Sequence, residues 1–254
     1  MIELKNVSAG YEEQDIIKNV SISFPKGKVS VLIGPNGCGK TTLLKTALGL
    51  LAKSEGEILY DGTEISLLSP REIARKAAYL SQSRNIPHIT AGKMVLHGRF
   101  PYLDYPRRYR GEDFAAVDKA MEQTDSLELK HCRMEQLSGG QRQKVYLAMA
   151  LAQNTDTIFM DEPTTYLDVY HQLELIELAR GLADRNKAVV LVLHDLSLAL
   201  KCADQLAVLS GGELKTAGSP EDIFKSGILN EIFRVRVQRF PTEAGWQYYC
   251  EPER

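Results

Sequence analysis

The spacing of apolar positions changes character twice along the chain. In the first 80 residues short apolar runs dominate. "KVSVLI" at 28–33 is a β-branched run ending in a Gly-rich turn, and "GEILYDG" at 56–62 reads as a strand closed by an Asp-Gly turn. Between them Leu44, Ala47, Leu48 and Leu51 recur at i, i+3, i+4 and i+7, which predicts one apolar face of a helix. From about residue 84 to 150 such runs become sparse, and "EDFAAVDKAMEQTDSLEL" predicts a helix instead. The last third returns to strand-length runs, "TDTIFMDEP" and "AVVLVLHD". A helix with Val169, Leu173, Ile176 and Ala183 on one face separates them. Apolar strands alternating with helices imply an α/β fold with a mainly parallel sheet buried on both faces. In such sheets functional residues gather beyond the carboxyl ends of the strands. The final "RVRVQRFPTEAGWQYYC" alternates apolar and polar positions and predicts a small hairpin packed on the core.

Composition adds mostly exclusions. With 254 residues the chain can bury a substantial core. A formal charge of −2 gives no global attraction to nucleic acid or anionic lipid. Cys38, Cys132, Cys202 and Cys250 are scattered without metal or redox spacing, as expected of reduced thiols in a cytosolic protein. "MIELKNVSAG" lacks the basic and apolar segments of a signal peptide, so none is expected. The longest apolar runs are strand-length, far short of the roughly 20 residues that span a bilayer. A role at a membrane would require another chain to supply the spanning part.

Candidate chemistry follows the strands. "GPNGCGKTT" fits the G-x-x-x-x-G-K-[ST] pattern between a strand and a helix, the context a phosphate-binding loop requires. The loop Gly34, Pro35, Asn36, Gly37, Cys38 and Gly39 would close around phosphate oxygens at a helix N-terminus, every residue but Pro35 offering a backbone N–H. Lys40 would reach the β- and γ-phosphates, Thr41 would place its hydroxyl on Mg²⁺, and Thr42 completes the loop. "TIFMDEP" supplies acids at a strand end: Asp161 to hold Mg²⁺ directly or through water, Glu162 as general base, or at least orienter, for an attacking water. His194 and Gln82 stand just after strands and gain meaning only beside these motifs.

"LSGG" occurs twice, from Leu137 and from Leu209, each time continued by a capping-box residue, Gln141 or Glu213. After Gln141 a run free of Gly and Pro predicts a sustained helix. Ser138 is then its N-cap, with Gly139 and Gly140 open to an anion. After Glu213, Gly218 and Pro220 leave no room for such a helix, and Gly211-Gly212 reads as a hairpin turn.

In this order the motifs resemble the ATP-binding subunits of ABC transporters. "LSGGQ" at 137–141 is similar to the family signature, "TIFMDE" to its Walker B strand, and "YLD" at 166–168 to the loop that crosses the dimer interface. The resemblance implies a P-loop NTPase of the ABC type: a mainly parallel core sheet, an N-terminal antiparallel β subdomain and an inserted helical subdomain. It places the nucleotide core at 1–83 and 151–225, the helical subdomain at 84–150 and a C-terminal extension at 226–254. It implies that Gln82 senses Mg²⁺ and the γ-phosphate, that His194 contacts that phosphate, and that Tyr11 stacks on adenine. It also implies a head-to-tail homodimer in which Ser138, Gly139, Gly140, Gln141 and Asp168 serve the partner's ATP. A transmembrane permease, and indirectly a substrate-binding protein, complete the expected assembly on the cytoplasmic face of the cell membrane, with no nucleic acid. "PTTYLDVYHQLELIELARGL" and "VLHGRFPYLDY" resemble importers for iron–siderophore complexes, haem and cobalamin. Those relatives often carry His where this chain has Tyr102. The basic "PRRYR" at 106–110 is either a solvated surface or a contact with the permease.

Overall fold

The computed structural model describes residues 1–12, 14–82, 86–165, 167–243 and 245–252. β1 (Ile2–Tyr11) and β2 (Gln14–Phe24) lead into β3 (Lys28–Ile33) and α1 (Lys40–Ala47), followed by β4 (Lys53–Tyr60) and β5 (Thr63–Glu64). α2 (Pro70–Lys76) and β6 (Ala77–Leu80) precede a helical stretch of α3 (Ala91–Leu96), α4 (Gly111–Gln123) and α5 (Gly139–Ala152). Then come β7 (Thr157–Asp161), α6 (Val169–Asp184), β8 (Ala188–Val192), α7 (Leu196–Cys202), β9 (Gln205–Ser210) and β10 (Glu213–Gly218). α8 (Pro220–Ser226), α9 (Ile228–Phe233), β11 (Val235–Thr242) and β12 (Gly245–Pro252) follow.

The central sheet has the order β10-β9-β3-β8-β7-β6, parallel from β9 to β6 with β10 antiparallel at one edge. Its strands are apolar on both faces because both faces are covered. Val29, Val31 and Ile33 of β3 pack with the helices α3–α7, while Leu32 faces a second core shared with α1 and the antiparallel sheet β2-β1-β4-β5. β8 divides the same way, Val189 and Leu191 to one side, Val190 and Val192 to the other. Strand pleating sends alternate residues to opposite faces, so a continuous apolar run is what a doubly covered strand needs. β11 and β12 form the expected terminal hairpin, with Tyr248 edge-on to Phe224 of α8. Among the described residues no helix is long and apolar enough to cross a membrane.

Three helices differ from the reading of the sequence. α1 ends at Ala47: Leu48 is its C-cap, and Gly49 turns the chain at φ +67°. Leu51 therefore reaches the same core from outside the helix. Tyr60 donates its hydroxyl to the Ala47 carbonyl at 2.7 Å, satisfying an end-of-helix acceptor. α4 stops at Gln123, six residues before the predicted end; Thr124 turns its hydroxyl back onto the Ala120 and Met121 carbonyls, and Asp125 adopts φ +47°. In α6 the predicted face is buried only at Ile176 and Ala183, whereas Val169 and Leu173 are exposed. Periodicity reports a helix but not where its packing partner begins.

The "GRFP" stretch proves to be an anchor of the helical layer. The Arg99 guanidinium meets the Asp113 carboxylate at 2.9 Å, donates to the Ala152 carbonyl at 3.0 Å and stacks 4.0 Å from the Tyr102 ring centroid. Tyr102 in turn donates to the Gln153 carbonyl at 2.9 Å. Burial alone would push the Asp113 carboxyl up, but the Arg110 N–H and the Arg99 charge outweigh it and hold the group below the usual carboxylate range. Removing one partner strands a buried charge. Asp113→Ala is accordingly expected to lower unfolding free energy by about 3 kcal/mol in urea titrations.

Candidate functional site

The order β3-β8-β7-β6 brings four strand ends side by side. The Gly34–Gly39 loop follows β3, His194 follows β8, Asp161 and Glu162 close β7, and Gln82 follows β6. Between these strand ends and Tyr11, at the end of β1, opens a cavity of about 480 Å³, although Gly34, Pro35, Cys38 and Asp161 do not line it. Asn36, Gly37, Gly39, Lys40, Thr41, Thr42, Gln82, Glu162 and His194 all line it. Tyr11 stands at its mouth, 47% exposed, with Ile16 beside it.

The loop is shaped by close contacts. At Gly34 a Cβ would lie 2.2 Å from the Leu209 carbonyl oxygen; at Gly39, where φ is +103°, it would lie 2.7 Å from Ile17 Cγ2. No other side chain fits this turn. The buried Lys40 donates from Nζ to the Gly34 and Pro35 carbonyls at 2.7 and 3.0 Å, which points its charge along the loop. Cys38 lies beneath, its thiol pushed up by burial and pulled only partly back by Lys40. Lys40, Thr41 and Thr42, the first residues of α1, line the same cavity, and the unpaired N–H groups and dipole of a helix start favour an anion.

The acids divide into a deep one and a shallow one. Asp161 is fully buried; its Oδ2 accepts from Thr41 Oγ1 at 2.8 Å and from Tyr79 OH at 3.2 Å, while its Oδ1 has no hydrogen-bond partner. Burial pushes this carboxyl above its ordinary range, the Thr41 and Tyr79 hydroxyls oppose that, and the Glu162 carboxylate adds to it. Glu162 has φ +50°, an uncommon conformation for a non-Gly residue and one that clusters at functional sites. Its two oxygens are held apart, Oε2 by Gln82 Nε2 at 2.5 Å and Oε1 by His194 Nε2 at 2.5 Å. Three residues remote in sequence thus converge because their strands are neighbours.

Ser138 is the N-cap of α5 in a full capping box: its hydroxyl accepts from the Gln141 N–H and the Gln141 side chain accepts from the Ser138 N–H. Ser138, Gly139 and Gln141 are exposed, and neither they nor Gly140 line the cavity. Gln143, one turn on, donates to the Pro163 carbonyl at 2.7 Å, tying this helix to the segment after Glu162. Asp168 caps α6 through the His171 N–H and likewise stands outside the cavity. Tyr166, the first residue of the "YLD" stretch, lies outside the described residues.

The second "LSGG" is a turn. Ser210 pairs with Glu213 across Gly211 and Gly212, both at positive φ, as a two-residue hairpin demands. Gly212 accepts from the Lys18 N–H at 2.8 Å, and the Leu209 carbonyl abuts Gly34. This second stretch therefore packs against the Gly34 loop.

Two residues were not anticipated. Ile16 adds an apolar wall beside Tyr11; the β2 pattern places it across the hairpin, but nothing in a lone Ile signals a binding role. Tyr79 reaches Asp161 from the neighbouring strand, and its position in "AAYLSQ", three residues before Gln82, was the available signal.

Residues 17–165 match the family described as "ABC transporter". The chain is 39% identical over 242 residues to the achromobactin transport ATP-binding protein of Dickeya dadantii, covering 94% of this chain and 90% of that one. It is 38% identical to the ferric enterobactin transport ATP-binding protein of Escherichia coli, covering 91% and 86%. It is 36% identical to the iron(3+)-hydroxamate import ATP-binding protein of Bacillus subtilis, covering 93% and 89%. Among solved structures, a dimeric post-hydrolysis ATP-binding cassette bound to ADP and Pi superposes with a TM-score of 0.76. Its identity is 28%, over 87% of this chain and 99% of that one.

Proposed function

The chain belongs to the ABC transporter family, and from that premise we propose that it is the ATP-hydrolysing subunit of an importer for iron–siderophore complexes. The observation that carries the enzymatic part is the convergence of the phosphate loop, Gln82, Glu162 and His194 on one cavity. The cargo class is supported by relatives named for achromobactin, ferric enterobactin and iron(3+)-hydroxamate transport, each matched over most of its length.

In this reading adenine rests against Tyr11 and Ile16, and the phosphates run along the Gly34–Thr42 loop under Lys40. Thr41, Gln82 and Asp161 offer only oxygen donors, and the orphaned Asp161 Oδ1 needs a partner, so the residues fit Mg²⁺. When bound there, Mg²⁺ neutralises charge on the β- and γ-phosphates. Glu162 takes the proton of the attacking water. Gln82 and His194 hold its carboxylate in place, one oxygen each. Hydrolysis is then positioning and electrostatics more than covalent chemistry.

The Ser138–Gln141 terminus has its capping box satisfied, is exposed at Ser138, Gly139 and Gln141, and does not line this chain's own cavity. We read it, with Asp168, as the cover that a second copy lays over the γ-phosphate, giving two composite sites in a twofold dimer. The helical segment taken as 84–150 would carry the resulting motion to permease subunits on the cytoplasmic face.

Transport of ⁵⁵Fe-labelled siderophore, haem and cobalamin into a strain lacking the gene tests the cargo. Loss of siderophore uptake, restored by the wild type and not by Glu162→Gln, supports the reading. Normal siderophore uptake together with loss of another cargo contradicts it.

A further inference from the structure

Tyr79 has no part in the steps above, yet its hydroxyl lies inside the site. It belongs to β6, is half-buried against the core between the two sheets, and donates to Asp161 Oδ2. The same oxygen accepts from Thr41, while Oδ1 is buried without a partner. A carboxylate has about four acceptor positions shared between its oxygens. Two donors on one oxygen and none on the other is a lopsided use of them. A buried orphan oxygen calls for an explanation, and a role in holding a cation is one of the standard ones.

We propose that Tyr79 is a positioning residue for the nucleotide-bound divalent cation: it fixes the Asp161 carboxylate so that Oδ1 faces the metal. The inference rests on the ATPase reading above. Thr41 does not suffice alone, because its hydroxyl oxygen is itself an expected ligand of the cation. Tyr79 comes from a different strand, and the β6–β7 ladder sets it directly opposite Phe159, two residues before Asp161. Its hold on Oδ2 is therefore independent of the nucleotide. If the ring merely filled space, phenylalanine would serve equally well.

The test uses the full chain carrying Tyr79→Phe, with binding of a non-hydrolysable ATP analogue followed by calorimetry across a Mg²⁺ series. Affinity in EDTA should stay at the wild-type value, and the Mg²⁺ concentration giving half the metal-dependent gain should rise about tenfold, the scale of one hydrogen bond to a charged group. In hydrolysis assays the Mg²⁺ requirement should rise in parallel, with kcat recovered at saturating Mg²⁺. An unchanged Mg²⁺ dependence with a lowered Tm would show a packing role and overturn the proposal. Tyr79→Met, also without the hydroxyl, gives the same reading should the Phe variant not fold. A wild-type chain that binds no nucleotide would instead overturn the ATPase reading itself, so the two failures are distinct.

Discussion

Glu162→Gln is expected to slow ATP hydrolysis by ~10²-fold or more while ATP still binds, the scale of a lost general base. The structure explains why the effect should be so selective. Glutamine is nearly the same size and keeps an oxygen for either neighbour, so the contacts with Gln82 and His194 can be re-formed in part. The lining contributed by Tyr11, Lys40 and Thr41 is untouched. The φ +50° backbone imposes on Gln what it already imposes on Glu, so stability should change little. Only the capacity to accept the water's proton disappears. Steady-state phosphate release, read beside equilibrium binding of ATP, checks both halves. Retention of wild-type turnover would remove Glu162 from the chemistry.

The second large effect separates the two "LSGG" stretches. Gly139 is the first residue of α5 and exposed. Gly139→Asp puts a carboxylate where the partner's phosphate should approach, and hydrolysis should fall by at least about tenfold for each 1.4 kcal/mol of repulsion introduced. The same acid at a helix N-terminus is favourable by about 0.3–1 kcal/mol, so the fold should be unharmed or slightly firmer. Gly212→Ala does the reverse. Its Cβ would sit 2.3 Å from the Ile16 carbonyl oxygen at φ +82°, and neither backbone segment can yield cheaply. A loss of about 2–4 kcal/mol is expected from the overlap together with the left-handed strain. Gly211, with nothing near its missing Cβ, should tolerate alanine better. Urea unfolding and ATPase assays on the three variants decide the matter. Loss of activity from a well-folded Gly212 variant equal to that of Gly139→Asp would erase the distinction.

The fold and much of the site were legible because they are written locally. The doubly buried strands are continuous apolar runs, and the phosphate loop and the Ser138 cap are contiguous motifs whose backbone demands name their residues. What escaped depends on which segments become neighbours. Leu51 keeps its apolar character outside the helix, and Val169 and Leu173 keep helical spacing without a surface to cover. The grip of Gln82 and His194 on Glu162 follows from the strand order β8-β7-β6, which no single segment encodes. Tyr79 is the sharpest case: in sequence one more strand aromatic, in space a donor to Asp161.

The central claim is that one ATP is completed by two chains. Sedimentation velocity of Glu162→Gln with ATP and Mg²⁺ tests it most directly. The account predicts a nucleotide-dependent dimer that returns to monomer when Gly139→Asp is added. A chain that binds ATP fully yet stays monomeric would contradict it.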